Sequence, residues 1–201
     1  MCFNTRQSKR QEQLEKRYNA KMEKRLQYNI SIQFNGFSHP ETPVITNKDT
    51  GIIELYKWGL IPHWAKDITI RKNTLNARIE TINQKPSFRD AVKNRCLVLV
   101  DGFYEWQWLD PKGKNKQKYL ITFPNDEVFS LAGLWSEWTD KLTGEILNTY
   151  TILTTEANEL MSQIHNSQKR MPVILSPNNE TDWLNGKELI SENIDLLATK
   201  V

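Results

Sequence analysis

Residues 95–108 read Arg95-Cys96-Leu97-Val98-Leu99-Val100-Asp101-Gly102-Phe103-Tyr104-Glu105-Trp106-Gln107-Trp108. Cys96–Val100 is a continuous apolar run, short enough for a buried strand. It continues through Phe103–Trp108, where strand alternation puts Phe103, Glu105 and Gln107 on one face. Tyr104, Trp106 and Trp108 then occupy the other. Downstream, Pro111-Lys112-Gly113 marks a hairpin turn into Lys118–Phe123, and Pro124-Asn125-Asp126 turns the chain into Val128–Leu134. Asp140–Gly144 is a further turn into Leu147–Thr154, and Met171–Leu175 is another short strand. Upstream, Ile52–Trp58 alternates as a strand, and Gly59-Leu60-Ile61-Pro62-His63-Trp64 leaves the sheet. Residues 35–51 hold Gly36, Pro40, Pro43 and Gly51 and read as loop with a short strand at Val44–Thr46. Residues 8–28 read as an amphipathic helix on the stripe Leu14, Tyr18, Met22 and Leu26. Ser87 caps a short helix at Phe88–Lys93, and Thr155 caps another at Glu156–Ile164. Asn179–Leu184 and Ser191–Thr199 also read as helical. The sum is an α+β fold: one domain over residues 1–201, an antiparallel, curled, barrel-like sheet with flanking helices.

A chain of 201 residues, 38% hydrophobic and 25% charged, is long and apolar enough for one sizeable core. No apolar run approaches the roughly 20 residues that span a bilayer. The start, MCFNTRQSKR, lacks the apolar region of a secretory signal, so a cytoplasmic protein away from membranes is expected. Two cysteines, Cys2 and Cys96, make no disulfide framework, and with three histidines they show no metal-ligand spacing. No metal and no cofactor are expected. Net charge is +3, but residues 1–30 hold eight Lys/Arg against three Glu. That basic run is either an electrostatic footprint for a polyanion or a solvated helix face.

Cys2 follows the initiator methionine directly. Removal of Met1 would leave a free amine and a thiol on adjacent carbons, with ordinary pKa values of about 8 and about 8.5. An aldehyde condenses with such an amine to a Schiff base, and the thiol then closes a five-membered thiazolidine. Cys2 read alone is also an ordinary N-terminal residue. Glu105 among three aromatics is either a buried carboxyl suited to proton transfer near neutrality or one pointing outward. His165 stands before Lys169-Arg170-Met171-Pro172 and is either a catalyst or an ordinary surface or core histidine. Asn76 and Arg78 lie two apart, so in an extended segment they face the same way. Arg78 suits a phosphodiester, since arginine binds phosphate bidentately, and a structural role is equally open.

Together these segments resemble the SRAP family (SOS response-associated peptidase), proteins that crosslink covalently to abasic sites in single-stranded DNA. The resemblance runs from Cys2 to about Leu184. It rests on Cys2, Trp58-Gly59-Leu60-Ile61-Pro62-x-Trp64, Asn76-Ala77-Arg78-x-Glu80-Thr81, Arg95-Cys96-Leu97, Asp101-Gly102-Phe103-Tyr104-Glu105-Trp106, Ala132-Gly133-Leu134-Trp135, Thr154-Thr155-x-Ala157, and Ile164-His165 with Arg170-Met171-Pro172. It implies Cys2 as the crosslinking nucleophile once Met1 is removed, with the word peptidase pointing to removal by the protein itself, and Asn76, Glu105 and His165 as the rest of the catalytic set. It implies Arg78, Trp64, Trp106 and Arg170 as DNA contacts. The expected partner is single-stranded DNA containing abasic sites, bound by a monomer that becomes nucleoid-associated on DNA. The chain departs from the family's Met-Cys-Gly-Arg-Phe, reading Met1-Cys2-Phe3-Asn4-Thr5. Arg6 or the basic run then stands in for the missing arginine. Gly36-Phe37-Ser38-His39-Pro40 replaces the usual Asn-x-Ala-Pro. Two other classes stay open: a peptidase using an N-terminal thiol, and a non-catalytic single-strand binder.

Overall fold

The run Cys96–Val100 is apolar throughout because both of its faces are buried. In the computed structural model, which describes residues 2–23, 28–187, 189 and 194–201, alternate residues enter two different core clusters. Cys96, Val98 and Val100 pack with Cys2, Trp58, Phe103 and Tyr150. Leu97 and Leu99 pack with Leu14, Ile53, Leu134 and Trp183.

The elements run β1 (Asn4–Gln7), α1 (Gln11–Tyr18), β2 (Lys21–Met22), β3 (Ser31–Asn35), β4 (Glu41–Thr46), β5 (Asp49–Trp58) and β6 (Asn76–Arg78). They continue with β7 (Arg95–Val100), β8 (Gly102–Trp108), β9 (Lys116–Thr122), β10 (Phe129–Thr139), β11 (Ile146–Glu156) and α2 (Glu159–Ile164). The last are β12 (Arg170–Pro172), β13 (Ile174–Leu175), α3 (Pro177–Leu184) and β14 (Leu197–Lys200). One sheet has the order β12-β11-β10-β7-β4-β5-β2. A parallel pairing of β5 with β11 (Thr149↔Lys57, Tyr150↔Trp58) closes its middle strands into a ring. The second sheet has the order β14-β9-β8-β1-β3. The expected α+β, barrel-like fold is therefore found.

Several boundaries differ from expectation, each for a local reason. The helix expected over 8–28 is only α1. Asn19 takes the left-handed conformation (φ 48°) and ends it, and the Glu15 carboxylate accepts from the Met22 N–H at 2.9 Å. Leu14 and Met22 still share a core cluster, Met22 from a strand beside β5. Leu26 lies outside the described residues. The helix expected at Phe88–Lys93 is a single 3-10 turn, Arg89–Ala91, with no cap from Ser87. Thr155 does not start α2, because β11 stays paired to β12 through Glu156. Asn158 caps the helix instead, accepting from Met161 N–H at 2.9 Å. Of the helix expected at 191–199, residues 191–193 lie outside the described residues, and Leu197 onward is strand β14, paired to β9. The loop expected before Val44 is already strand from Glu41, although it contains Pro43. That proline is tolerated because β7 pairs with β4 only over Val44–Thr46, so no ladder bond from Pro43 to β7 is needed.

Candidate functional site

The start of the chain is drawn to the second sheet by its own hydrogen bonds. β1 pairs with β8 in the register Asn4↔Tyr104, Thr5↔Phe103 and Arg6↔Gly102, and with β3 on its other edge. Running back toward the N-terminus, the chain reaches Cys2 beside the segment that holds Glu105. Cys2 is 0% exposed and is part of the core. Its thiol lies 3.8 Å from the Asn4 carbonyl. Burial pushes the thiol pKa far up, and the charge of Glu105 adds to the rise. The accessible thiolate expected from the free amino acid is thus absent: a base must take the proton.

Three side chains from separate elements meet this point. Asn76, first residue of β6, donates from Nδ2 to the Cys2 carbonyl at 2.8 Å. Its position is set by parallel pairing with β11 (Ile152↔Asn76) and by Trp58, whose indole N–H donates to the neighbouring Leu75 carbonyl at 2.8 Å. Its Oδ1 is buried with no hydrogen-bond partner among the described residues. Glu105, in the middle of β8, is 4% exposed. Burial raises its carboxyl from the ordinary 4.5 to about 7, which decides between its two readings in favour of the inward one. His165 caps the C-terminus of α2, with Nε2 3.9 Å from Glu105 Oε2. Its Nδ1 lies 2.7 Å from the Arg170 carbonyl. A carbonyl only accepts, so Nδ1 carries the proton and Nε2 faces the carboxyl. Burial lowers the imidazole pKa, opposed by the bond to Arg170. One buried acid raised and one buried base lowered suit a pair that exchanges a proton near neutral pH.

The expected DNA contacts divide. Arg78 is exposed at the end of β6, on the same side as Asn76. Trp64 is 44% exposed, beyond a turn that Gly59 makes at φ +118°, where a Cβ would sit 2.8 Å from His39 Nδ1. Trp106 is half-buried, with Lys118 Nζ 5.8 Å from its ring and 4.1 Å from that of Tyr104. Arg170 is buried, and its guanidinium is held bidentately by Glu80 at 2.8 and 2.9 Å and by the Thr154 carbonyl at 2.7 Å. Arg6, offered as a substitute for the missing arginine, is also engaged. It bonds the Asp101 carbonyl at 3.0 Å and carboxylate at 3.3 Å, and it contacts Asp126. At the replaced 36–40 segment, Phe37 packs on Phe3 with the rings tilted by 38° and centroids 4.9 Å apart. The anchor of β1, fully buried Asp101, was not singled out by sequence reasoning. It also accepts from Ser8 N–H at 3.1 Å, and nothing in one-dimensional spacing marks a contact 93 residues apart.

A barrel that buries its second residue against an amide, a carboxylic acid and an imidazole is a protein whose candidate reactive group is the start of its own chain. The model of the SOS response associated peptidase (SRAP) family matches residues 1–201, and the chain belongs to that family. It is 48% identical over 132 residues to the abasic site processing protein YoqW of Bacillus subtilis (strain 168), matching 65% of this chain and 56% of that protein. It is 35% identical over 157 residues to the abasic site processing protein HMCES of Gallus gallus, matching 66% of this chain and 45% of that one. The chain thus spans about half the length of these curated relatives. A crystal structure of a Bacteroides thetaiotaomicron protein superposes with a TM-score of 0.86 at 34% identity, over 98% of this chain and 91% of that one. No helix among the described residues is long and apolar enough to cross a membrane.

Proposed function

We propose that this chain processes abasic sites in single-stranded DNA by linking Cys2 covalently to the ring-opened sugar. The observation that carries the reading is the convergence of Cys2, Asn76, Glu105 and His165 from four separate parts of the chain on one buried point. The relatives' description as abasic site processing proteins agrees with it.

In this reading Met1, which lies outside the described residues, is first removed, by an aminopeptidase or by the site itself. Glu105 passes its carboxyl proton to His165 Nε2, which gives it to the sugar ring oxygen while the C1 hydroxyl gives its own proton to water, so the ring opens to the aldehyde. The Cys2 amine attacks the aldehyde carbon. Glu105, poised near pH 7, accepts a proton from the nitrogen and returns one to the carbinolamine oxygen, which leaves as water. The resulting imine carbon is attacked by the Cys2 sulfur, whose proton passes through Glu105 to the nitrogen. One aldehyde and one aminothiol give one thiazolidine and one water. Asn76 holds the Cys2 carbonyl, and its open Oδ1 accepts from a sugar hydroxyl. Arg78 grips a phosphate while Trp64 and Trp106 stack on bases. Arg170 joins the phosphate contacts where its pair with Glu80 opens, and otherwise serves the site through the carbonyl that holds His165.

The deciding experiment incubates the mature protein with abasic and intact oligonucleotides and resolves them on a denaturing gel. A shifted band is expected with abasic DNA only. It should be lost in Cys2→Ala and kept in Cys96→Ala, since Cys96 is buried core. Binding without a covalent band would mark a non-catalytic binder. Mass spectrometry showing Met1 still present on crosslinked protein would overturn the aminothiol route.

A further inference from the structure

Glu105 and His165 belong to different elements, so their 3.9 Å separation depends on what ties the end of α2 to β8. The bonds within the His165 segment do not do this. His165 N–H to the Met161 carbonyl (2.7 Å), Lys169 N–H to the His165 carbonyl (2.8 Å) and Nδ1 to the Arg170 carbonyl all lie between residues 161 and 170. They orient the ring but do not place the segment over the sheet.

The placement comes from the next residue. Asn166 sets its side-chain amide against both backbone groups of Trp108. Trp108 N–H donates to Asn166 Oδ1 at 3.0 Å, and Asn166 Nδ2 donates to the Trp108 carbonyl at 2.9 Å. An amide that accepts and donates in this way reproduces the pairing of a neighbouring strand. It does so where a strand is missing, because β1 pairs with β8 only over Gly102–Tyr104, while β9 pairs with it through Trp108. A second tie runs alongside. Gln107 Nε2 donates to the Gln163 carbonyl at 3.0 Å, and the Tyr119 hydroxyl donates to Gln107 Oε1 at 3.2 Å. The ties grip residues 163 and 166, on either side of His165. On β8 they grip residues 107 and 108, just beyond Glu105.

We propose that Asn166 is a positioning residue which, with Gln107, fixes His165 Nε2 against the Glu105 carboxyl. The inference rests on the acid–base roles given above, but it has its own test. The protein has three histidines, His39, His63 and His165. Their ring resonances can be titrated by NMR in the mature protein, with His165 assigned by its absence in His165→Gln. Asn166→Ala should move the His165 midpoint toward the free imidazole value of about 6.5 and leave His39 and His63 where they are. Adduct formation should slow about tenfold in Asn166→Ala, a modest share of the roughly 10²–10⁴-fold supplied by a general acid–base group. In a His165→Ala background the same change should slow it no further. An unmoved His165 midpoint, or a rate loss that adds in full to that of His165→Ala, would overturn the proposal. Gln107→Ala removes a single tie to the His165 segment, together with the Tyr119 bond that supports it, and is read by the same two criteria should Asn166→Ala fold poorly. A wild-type protein that forms no adduct would sink the proposed function, while the titration would still decide the brace.

Discussion

Glu105 is 4% exposed on a strand between Phe103 and Trp106, and burial holds its carboxyl near 7 rather than the ordinary 4.5. A raised carboxyl pKa favours the neutral form in the folded chain, so its cost appears only at higher pH. Below about pH 4.5 the group is neutral folded and unfolded alike. As pH climbs toward 7 the unfolded chain ionises first, and stability falls. Raising this pKa from 4.5 to about 7 corresponds to a loss of about 3 kcal/mol, complete just above pH 7. Glu105→Gln keeps the shape and removes the titration. Its stability in denaturant melts should match the wild type near pH 4 and exceed it by that order at pH 8. The wild-type rate of adduct formation should rise through about pH 7 as the carboxyl ionises, so the variant should be slower by about 10²–10⁴-fold above pH 7 and by progressively less at lower pH. A difference between the two proteins that does not change from pH 4 to 8 would show that Glu105 does not titrate there.

At the scale of elements, the site depends on β1, four residues that carry Cys2 into place. Backbone pairing alone is a thin hold for so short a strand at a chain end. Asp101, fully buried, supplies the anchor by receiving Arg6, Lys9 and the Ser8 N–H. Removing one partner of a buried charge cluster strands the others and costs about 3–5 kcal/mol. Asp101→Ala should cost at the low end of that range, because Arg6 and Lys9 keep Asp126. Under conditions where the variant is still folded, it should also lose adduct yield as temperature rises and β1 frays; full wild-type yield up to the melting point would remove Asp101 from the site's support. Neither this anchor nor the Asn166 brace could be read from the sequence, since both are pairings between residues far apart in the chain. What was legible was local or periodic. The apolar run Cys96–Val100 announced a buried strand, and the turn residues at 111–113, 124–126 and 140–144 separated strands that exist. Cys2, Asn76, Glu105 and His165 were legible only as a set matching one family, since each alone left a structural reading open. The stripe Leu14, Tyr18, Met22 misled because a helix and a strand can present residues to the same core at helical spacing.

Across the whole molecule, the same separation of roles applies to charge. The sequence concentrates positive charge in residues 1–30, eight Lys/Arg against three Glu, which invites a polyanion-binding role. In the fold, Arg6 and Lys9 face Asp101 and Asp126, Arg17 is held bidentately by Glu180 at 2.9 and 3.2 Å, and Lys21 lies 3.6 Å from Glu15. Lys24 and Arg25 lie outside the described residues. Much of the basic run is therefore neutralised within the protein, and a pair already formed has few counterions to release from DNA. Arg78, exposed beside Asn76, has no such tie among its described contacts. The two kinds of arginine should separate in one experiment, the dependence of single-strand affinity on salt. Each phosphate contact contributes about 0.7 to the slope of log affinity against log salt for single strands. Arg78→Ala should flatten the slope by about that amount and weaken binding equally for all base sequences. Arg17→Ala should leave the slope unchanged and appear instead as lost stability, because it leaves the buried Glu180 carboxylate without its cation. The reverse outcome, a flattened slope in Arg17→Ala and none in Arg78→Ala, would move the DNA path from the Asn76 side of the barrel to the face carrying α1.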